Sequence, residues 1–97
     1  MNFIVTGYDY KDALALERRL SVREEHMENI IQMKSEGKIL FASAKVNDAG
    51  QMCGSIVFME VSSKDEVEAY LEKEIYVKAK VWERVEIVAC KIPELFK

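Results

Sequence analysis

The chain is 97 residues long, 49% hydrophobic and 32% charged, with a formal net charge of −3 at pH 7. This length supports a single domain, residues 1–97, around one core, and the composition is that of a globular protein rather than a disordered one. The acidic balance argues against nucleic acid or a membrane surface as a partner, because both are bound through a concentrated basic patch.

The first predicted element is a strand over Phe3–Tyr8, a segment rich in β-branched and aromatic residues and interrupted by Gly7. The charged and mixed segment Asp9–Leu20 follows, and we interpret it as a loop with room for one helical turn. That interpretation places Arg18 and Arg19 in solvent.

The first helix is predicted to begin at Ser21. Ser21 and Glu24 have the spacing of a capping box, in which the two side chains accept hydrogen bonds from each other's backbone N–H groups. The helix is predicted to continue to Glu36, because Gly37 is the residue type expected just past a helix end.

Two polar residues fall on the apolar side of this helix. At about 100° per residue, one arc of the helix collects five apolar side chains: Val22, Met27, Ile30, Ile31 and Met33. Arg23 and His26, the only histidine of the chain, lie within that arc. Buried polar groups usually either have hydrogen-bond partners or take part in chemistry, so this side of the helix is the first candidate site.

The rest of the chain predicts a hairpin, a second helix and a final strand. Lys38–Val46 and Ser55–Val61 are strand-like and are separated by turn residues, which favours a hairpin. A second capping box, Ser63–Glu66, opens a short helix with apolar residues on one side. Trp82–Lys91 alternates in polarity and is predicted to be the last strand.

The element order β-α-β-β-α-β predicts a ferredoxin-like fold of the α+β class, with two helices on one face of a four-stranded antiparallel sheet. The strands carry apolar residues on both faces, as Phe3 and Val5 alternate with Ile4 in the first strand. An exposed apolar face of that size is unusual in a monomer. We therefore expect a homodimer that forms through the open sheet face.

Cys53 and Cys90 are far apart and belong to no C-x-x-C motif, and a single histidine completes no zinc-ligand spacing. We expect two free thiols, no metal and no cofactor. The first residues lack the basic start and apolar run of a signal peptide. No segment has the roughly 20 apolar residues of a membrane span, so we expect a cytoplasmic protein with no membrane partner.

Four segments of the chain form a pattern in order: Arg19–His26 (R-L-S-x-R-x-x-H), Glu36–Lys38, Glu74–Val77 and Val81–Glu83. At this spacing they resemble the YCII-related (YciI-like) family over nearly the whole chain. The resemblance implies a dimeric α+β barrel with a pocket between the helix start and the sheet, and a histidine–aspartate pair as the active site proposed for the family. Most members have no assigned reaction, and a few relatives act on lactones or chlorinated rings during the breakdown of aromatic compounds.

By position, the family's histidine corresponds to His26, and its aspartate corresponds to Glu74. That aspartate stands in an Asp-Pro-Tyr or Asp-Pro-Phe triplet, where this chain has Ile75 in place of the proline and Tyr76 matching the aromatic residue. Ser43 lies where the family often has Gly-Pro after its second strand. The longer acid and the lost proline favour a member that binds a ligand without catalysis.

Two interpretations of function remain open. In the first, the chain is a cofactor-free enzyme with isomerase- or lyase-type acid–base chemistry, in which His26 and Glu74 transfer a proton beside a carbonyl group of a small carboxylate, lactone or aromatic-derived anion. In the second, it is a non-catalytic dimeric domain that binds a small acid through Arg23 and the backbone N–H groups at the helix start.

The candidate binding residues are the same in both interpretations. Arg23 can hold an acid oxygen and Arg19 can close over it, and Ser43 and Tyr76 complete the set of predicted substrate-binding residues. An RNA-binding module shares the element order, but the third strand carries one aromatic residue, Phe58, and no basic one. We therefore expect a small-molecule ligand rather than RNA.

Overall fold

The chain folds into four strands, two long helices and two short helical turns, and the computed structural model describes residues 1–97. In chain order these are β1 (Asn2–Asp9), α1 (Ala15–Ser35), β2 (Ile39–Val46), β3 (Met52–Glu60), α2 (Lys64–Lys73), α3 (Ile75–Lys78), β4 (Trp82–Cys90) and a 3-10 turn (Glu94–Phe96). The predicted β-α-β-β-α-β order and the α+β ferredoxin-like class are confirmed. None of the helices is both long and apolar enough to cross a membrane.

The sheet has the strand order β2-β3-β1-β4, and all of its pairings are antiparallel. Val5 in the centre of β1 lies opposite Val57 of β3 and Ile87 of β4. Because side chains alternate along a strand, Phe3 and Val5 are buried under the helices. The helix-covered face forms the main core, whose buried members are Phe3, Val5, Ile30, Ile39, Val57, Met59, Val61, Val67 and Tyr70.

The predicted start of α1 is wrong, because the helix begins at Ala15 and not at Ser21. No side chain caps the true start, and the turn before it is closed by Asp12, which accepts from the N–H of Leu14 through its side chain at 3.2 Å and from the N–H of Ala15 through its carbonyl. Ser21 lies inside the helix, where its hydroxyl donates to the carbonyl of Arg18 at 2.7 Å. A serine in mid-helix commonly bonds back in this way, so the capping-box spacing was a coincidence.

This correction moves the predicted site along α1. Arg23 and His26 lie near the middle of the helix, and Arg19 lies beyond its first turn. The free backbone N–H groups of the first turn are therefore not beside any of the three. The helix-start anion site predicted for Arg23 is therefore wrong. The second helix does begin where predicted, but its capping box is not formed, since Glu66 accepts from the N–H and hydroxyl of Ser62 and the Ser63 side chain caps nothing.

The face of the sheet away from the helices carries exposed aromatic and aliphatic side chains. A register shift between Ile39 and Phe41 places Phe41 opposite Phe58, and their rings stack with centroids 4.5 Å apart. Phe41 is 51% exposed and Val88 on β4 is 45% exposed. The expected homodimer through this face stays a prediction.

Candidate active site

Glu74 stands at the junction of α2 and α3 and is fully buried. Its backbone is extended, with φ −72° and ψ 122°, so that it ends α2 and caps α3 at the same time. The Oε1 atom accepts a hydrogen bond from the N–H of Tyr76 at 3.2 Å. An N-cap contact of this kind fixes the direction of the carboxylate, and here it points towards α1.

His26 meets that carboxylate from α1. Its Nδ1 atom lies 2.6 Å from Glu74 Oε1, and the side chain is buried. The imidazole also stacks on the ring of Tyr76, with centroids 3.9 Å apart, and meets the edge of Trp82. Glu74 and Ile75 differ from the Asp-Pro pattern that the resemblance implies, but this difference does not separate the carboxylate from His26.

This contact determines which imidazole nitrogen is free. Glu74 is ionised because its pKa is lowered, and an ionised carboxylate can only accept a hydrogen bond, so Nδ1 of His26 is the donor. In the neutral ring the lone pair then lies on Nε2. No hydrogen bond in the structure involves Nε2. Burial by itself would raise the pKa of Glu74, but the hydrogen bond and charge of His26, with smaller contributions from Tyr70 and the Tyr76 N–H, hold that pKa below its ordinary value of 4.5. Glu74 is therefore a carboxylate at neutral pH.

Arg19 does not lie in a solvated loop, and that prediction is wrong. Only 3% of the residue is exposed, because its Nη1 donates to both oxygens of Asp9 at 2.9 and 3.0 Å and its Nη2 donates to the Ser55 hydroxyl at 2.7 Å. The guanidinium also lies 4.8 Å over the Tyr76 ring. Burial raises the pKa of Asp9 above its ordinary 3.8, and the charge and hydrogen bonds of Arg19 offset this only in part.

Sequence reasoning missed the support beneath Arg19. The Ser55 hydroxyl also accepts from the indole N–H of Trp82 at 3.3 Å, so it holds two side chains at once. The indole lies flat against Gly7, where an added Cβ would be only 2.3 Å from a ring atom of Trp82. Glycine inside a strand often marks such a close approach, and Gly7 was the one signal that could have revealed this packing.

A cavity of about 370 Å³ lies beside the pair, between α1 and the strands β2 and β3. His26 and Tyr76 border it from inside, and Arg23 and Ser43 border it as exposed residues. Lys34 and the buried Arg19 add two further cations. Most of the wall is apolar, and it includes Met27, Ile30, Ile31, Ile39, Leu40, Ala42, Ala44, Met52 and Val57. We refer to this space as the front cavity.

The structure thus brings most of the predicted residues together. His26, Glu74 and Tyr76 are in mutual contact, and Arg23 forms no ion pair and is free to meet a ligand at the rim. Arg19 borders the same cavity, but both of its Nη atoms already bond to protein groups. Arg19 is therefore built into the wall, where only its Nε lacks a partner.

Known proteins with a similar sequence or fold agree with this architecture. The YCII-related domain matches residues 1–91. Protein YciI of Escherichia coli O6:H1 and Protein YciI of Shigella flexneri are each 32% identical over 93 residues, covering 90% of this chain and 93% of the relative.

Among solved structures, 5-chloro-2-hydroxyhydroquinone dehydrochlorinase from Burkholderia phenoliruptrix, in complex with 2,5-dihydroxybenzoquinone, aligns with a TM-score of 0.82. It is 23% identical, and the alignment covers 98% of both chains. A NIPSNAP family protein from Agrobacterium tumefaciens aligns with a TM-score of 0.52 at 20% identity, covering 96% of this chain and 93% of the other. At these identities the likeness shows the fold alone.

Proposed function

The chain belongs to the YCII-related family, and on that premise we propose that it is a small proton-transfer enzyme in which His26, oriented by Glu74, acts on an anionic ring compound. One observation supports this most strongly. The Nδ1 of His26 is fixed by a buried carboxylate at 2.6 Å, while its Nε2 has no partner and the ring borders a cavity. A lone histidine that served only packing would not need that arrangement.

The pair has the geometry of a base and its orienting acid. Nε2 of His26 takes a proton from the atom beside a carbonyl group, and the electron pair of the broken bond enters the ring system as an enolate. In an elimination, that electron pair forms a double bond while an anion leaves the neighbouring carbon. The imidazolium that forms is stabilised by Glu74, whose lowered pKa keeps the carboxylate charged. When the leaving group is chloride, the imidazolium releases its proton to water, so that the two products together account for the HCl eliminated.

The front cavity supports a ring-shaped anion as the proposed substrate. Its volume of about 370 Å³ suits a single ring, its walls are apolar, and Arg23 and Lys34 supply positive charge. A phenolate, an enolate or a ring carboxylate satisfies all three features. The 2,5-dihydroxybenzoquinone bound by the structurally similar dehydrochlorinase belongs to the same chemical class.

The test is the turnover of 5-chloro-2-hydroxyhydroquinone, followed by chloride release and by absorbance. His26→Gln keeps a donor for Glu74 but removes the base, so we expect a loss of turnover of about 100-fold or more in a protein that still unfolds cooperatively. Arg18→Met is the matched control, because this arginine of α1 pairs with Asp12 and does not border the cavity. Wild-type turnover in His26→Gln would contradict the proposed role, and an inactive wild type would exclude this elimination.

A second candidate function is small-acid binding without catalysis, and the free guanidinium of Arg23 at the cavity rim favours it. In that case benzoate or phosphate raises the melting temperature of the wild type and of His26→Gln equally. The stabilisation disappears in Arg23→Met. Turnover by the wild type would decide against this candidate.

We also propose that a second copy of the chain covers the open sheet face. The support is the exposed apolar surface around Phe41, Phe58 and Val88, together with the rarity of such surfaces on monomers. Val88→Lys should convert a dimer to a monomer in size-exclusion chromatography with light scattering. A monomeric wild type would overturn the proposal.

A further inference from the structure

A second cavity lies on the other side of the His26–Glu74 pair. It has a volume of about 410 Å³ and separates α1 from α2, and we refer to it as the rear cavity. Tyr70 and Glu74 border it, and its rim is polar, with Asn29, Gln32 and Lys73 among its residues. His26 borders only the front cavity. The pair therefore forms a wall between two spaces.

Two polar atoms in this region have no partner. Glu74 uses Oε1 for His26 and for the Tyr76 N–H, and its Oε2 is buried without a hydrogen bond. The Tyr70 hydroxyl is also buried, and it lies close enough to Glu74 to affect the pKa of that carboxyl, but the contact falls short of a well-formed hydrogen bond. Burial, followed by the neighbouring charge of Glu74, raises the pKa of Tyr70, so this hydroxyl stays protonated and able to donate. Buried polar groups in folded proteins rarely stay unpaired, and here an unpaired donor lies near an unpaired acceptor.

We propose that Tyr70 is a positioning residue of the active site, whose hydroxyl donates a hydrogen bond to Glu74 Oε2 after a small side-chain rotation or through one bridging water in the rear cavity. The proposal rests on the proposed function in one respect: the contact matters for activity only if the His26–Glu74 pair transfers a proton. The relay Tyr70–Glu74–His26 then withdraws negative charge from the carboxylate. As a consequence, Glu74 attracts the proton of His26 less strongly than it would if Oε2 had no donor.

The relay can be measured without any substrate, because the chain has one histidine and its ring protons give a single set of NMR signals. In Tyr70→Phe the carboxylate loses a donor, so the titration midpoint of the pair, followed at the His26 ring, moves to higher pH. The expected shift is about half a pH unit, a roughly threefold change in proton affinity. Tyr8→Phe is the control, since Tyr8 borders neither cavity.

The other charged and titratable groups around the pair are unchanged in this variant, so the difference between the two titrations isolates the hydroxyl. On the front side they are Asp9, Arg19, Arg23, Lys34 and Tyr76, and around the rear cavity they are Glu36, Lys38, Glu66 and Lys73. A purely structural role for Tyr70 would lower stability and leave the midpoint in place. An unchanged midpoint, or an equal shift in Tyr8→Phe, overturns the proposal.

If Tyr70→Phe does not fold, the wild type supplies the test. A hydroxyl proton that donates to a buried carboxylate exchanges slowly with water, so a separate resonance close to the Tyr70 ring protons is expected. Rapid exchange of that proton overturns the proposal. Both measurements are independent of turnover, so an inactive enzyme with a shifted midpoint would reject the proposed function and keep the relay.

Discussion

Helix α1 contributes two side chains that pair with buried carboxylates, in Arg19–Asp9 and His26–Glu74, and the two pairs differ in what they leave unused. Arg19 bonds Asp9 and Ser55 through its Nη atoms and keeps only Nε, which cannot change its protonation at ordinary pH. The second pair leaves Nε2 beside one cavity and Glu74 Oε2 beside another. Burial of charge does not by itself mark a functional group. Free hydrogen-bonding capacity on a titratable group beside a cavity is the better sign.

The comparison predicts that the first pair matters most for stability. Arg19→Met removes one partner and leaves Asp9 buried without its cation, which should cost about 3–5 kcal/mol of the free energy of unfolding. Arg18→Met is the control, because the exposed pair of Arg18 with Asp12 should contribute little. Urea denaturation measures both, and equal losses in the two variants would contradict the assignment of Arg19 to the fold.

The second pair should matter less for stability. Glu74→Gln keeps an oxygen for the N–H groups of His26 and Tyr76 but removes the charge, so we expect a loss of about 1–3 kcal/mol. The same variant should lose turnover, since nothing then stabilises the imidazolium. If Glu74→Gln were as destabilising as Arg19→Met, the second pair would also be primarily a part of the fold.

The smallest expected effect is a difference in how the two carboxyl groups change the free energy of unfolding with pH. The lowered pKa of Glu74 gives stability that is complete above its ordinary 4.5 and is lost as the pH falls through the folded value. The raised pKa of Asp9 acts oppositely, because its contribution is present below the ordinary 3.8 and is lost as the pH rises through the folded value.

The unfolding free energy of the wild type relative to Glu74→Gln should therefore decrease towards low pH, while that relative to Asp9→Asn should increase. Each change should be about 1 kcal/mol or less between about pH 3 and about pH 7. Urea titrations of the three proteins at several pH values measure both slopes. Slopes of the same sign would remove the distinction between the pairs.

Local patterns predicted the architecture, because the alternation along strands such as β1 and the turn residues between β2 and β3 depend only on neighbouring residues of the chain. The same kind of signal failed at the start of α1, since Ser21 and Glu24 have capping-box spacing in mid-helix while the true start follows the turn at Asp12 and has no side-chain cap. A pattern of spacing does not reveal which of several polar residues finds a partner.

The site was predictable only where a family pattern supplied long-range information. His26 and Glu74 are 48 positions apart, and their pairing came from the resemblance and not from spacing. The partners of Arg19 lie 10 and 36 positions away on two different strands, and nothing in its own neighbourhood indicates them. That is why its burial was missed. The homodimer and the chemistry of His26 stay predictions.

The packing of Trp82 on Gly7 has an evolutionary consequence. Since no side chain fits between the indole and β1, a lineage that keeps the tryptophan can accept only glycine at position 7. A relative that replaces the tryptophan with a small residue is released from that restriction and also loses one donor to Ser55. The two positions should covary, and the serine is the third site at which compensating changes should accumulate.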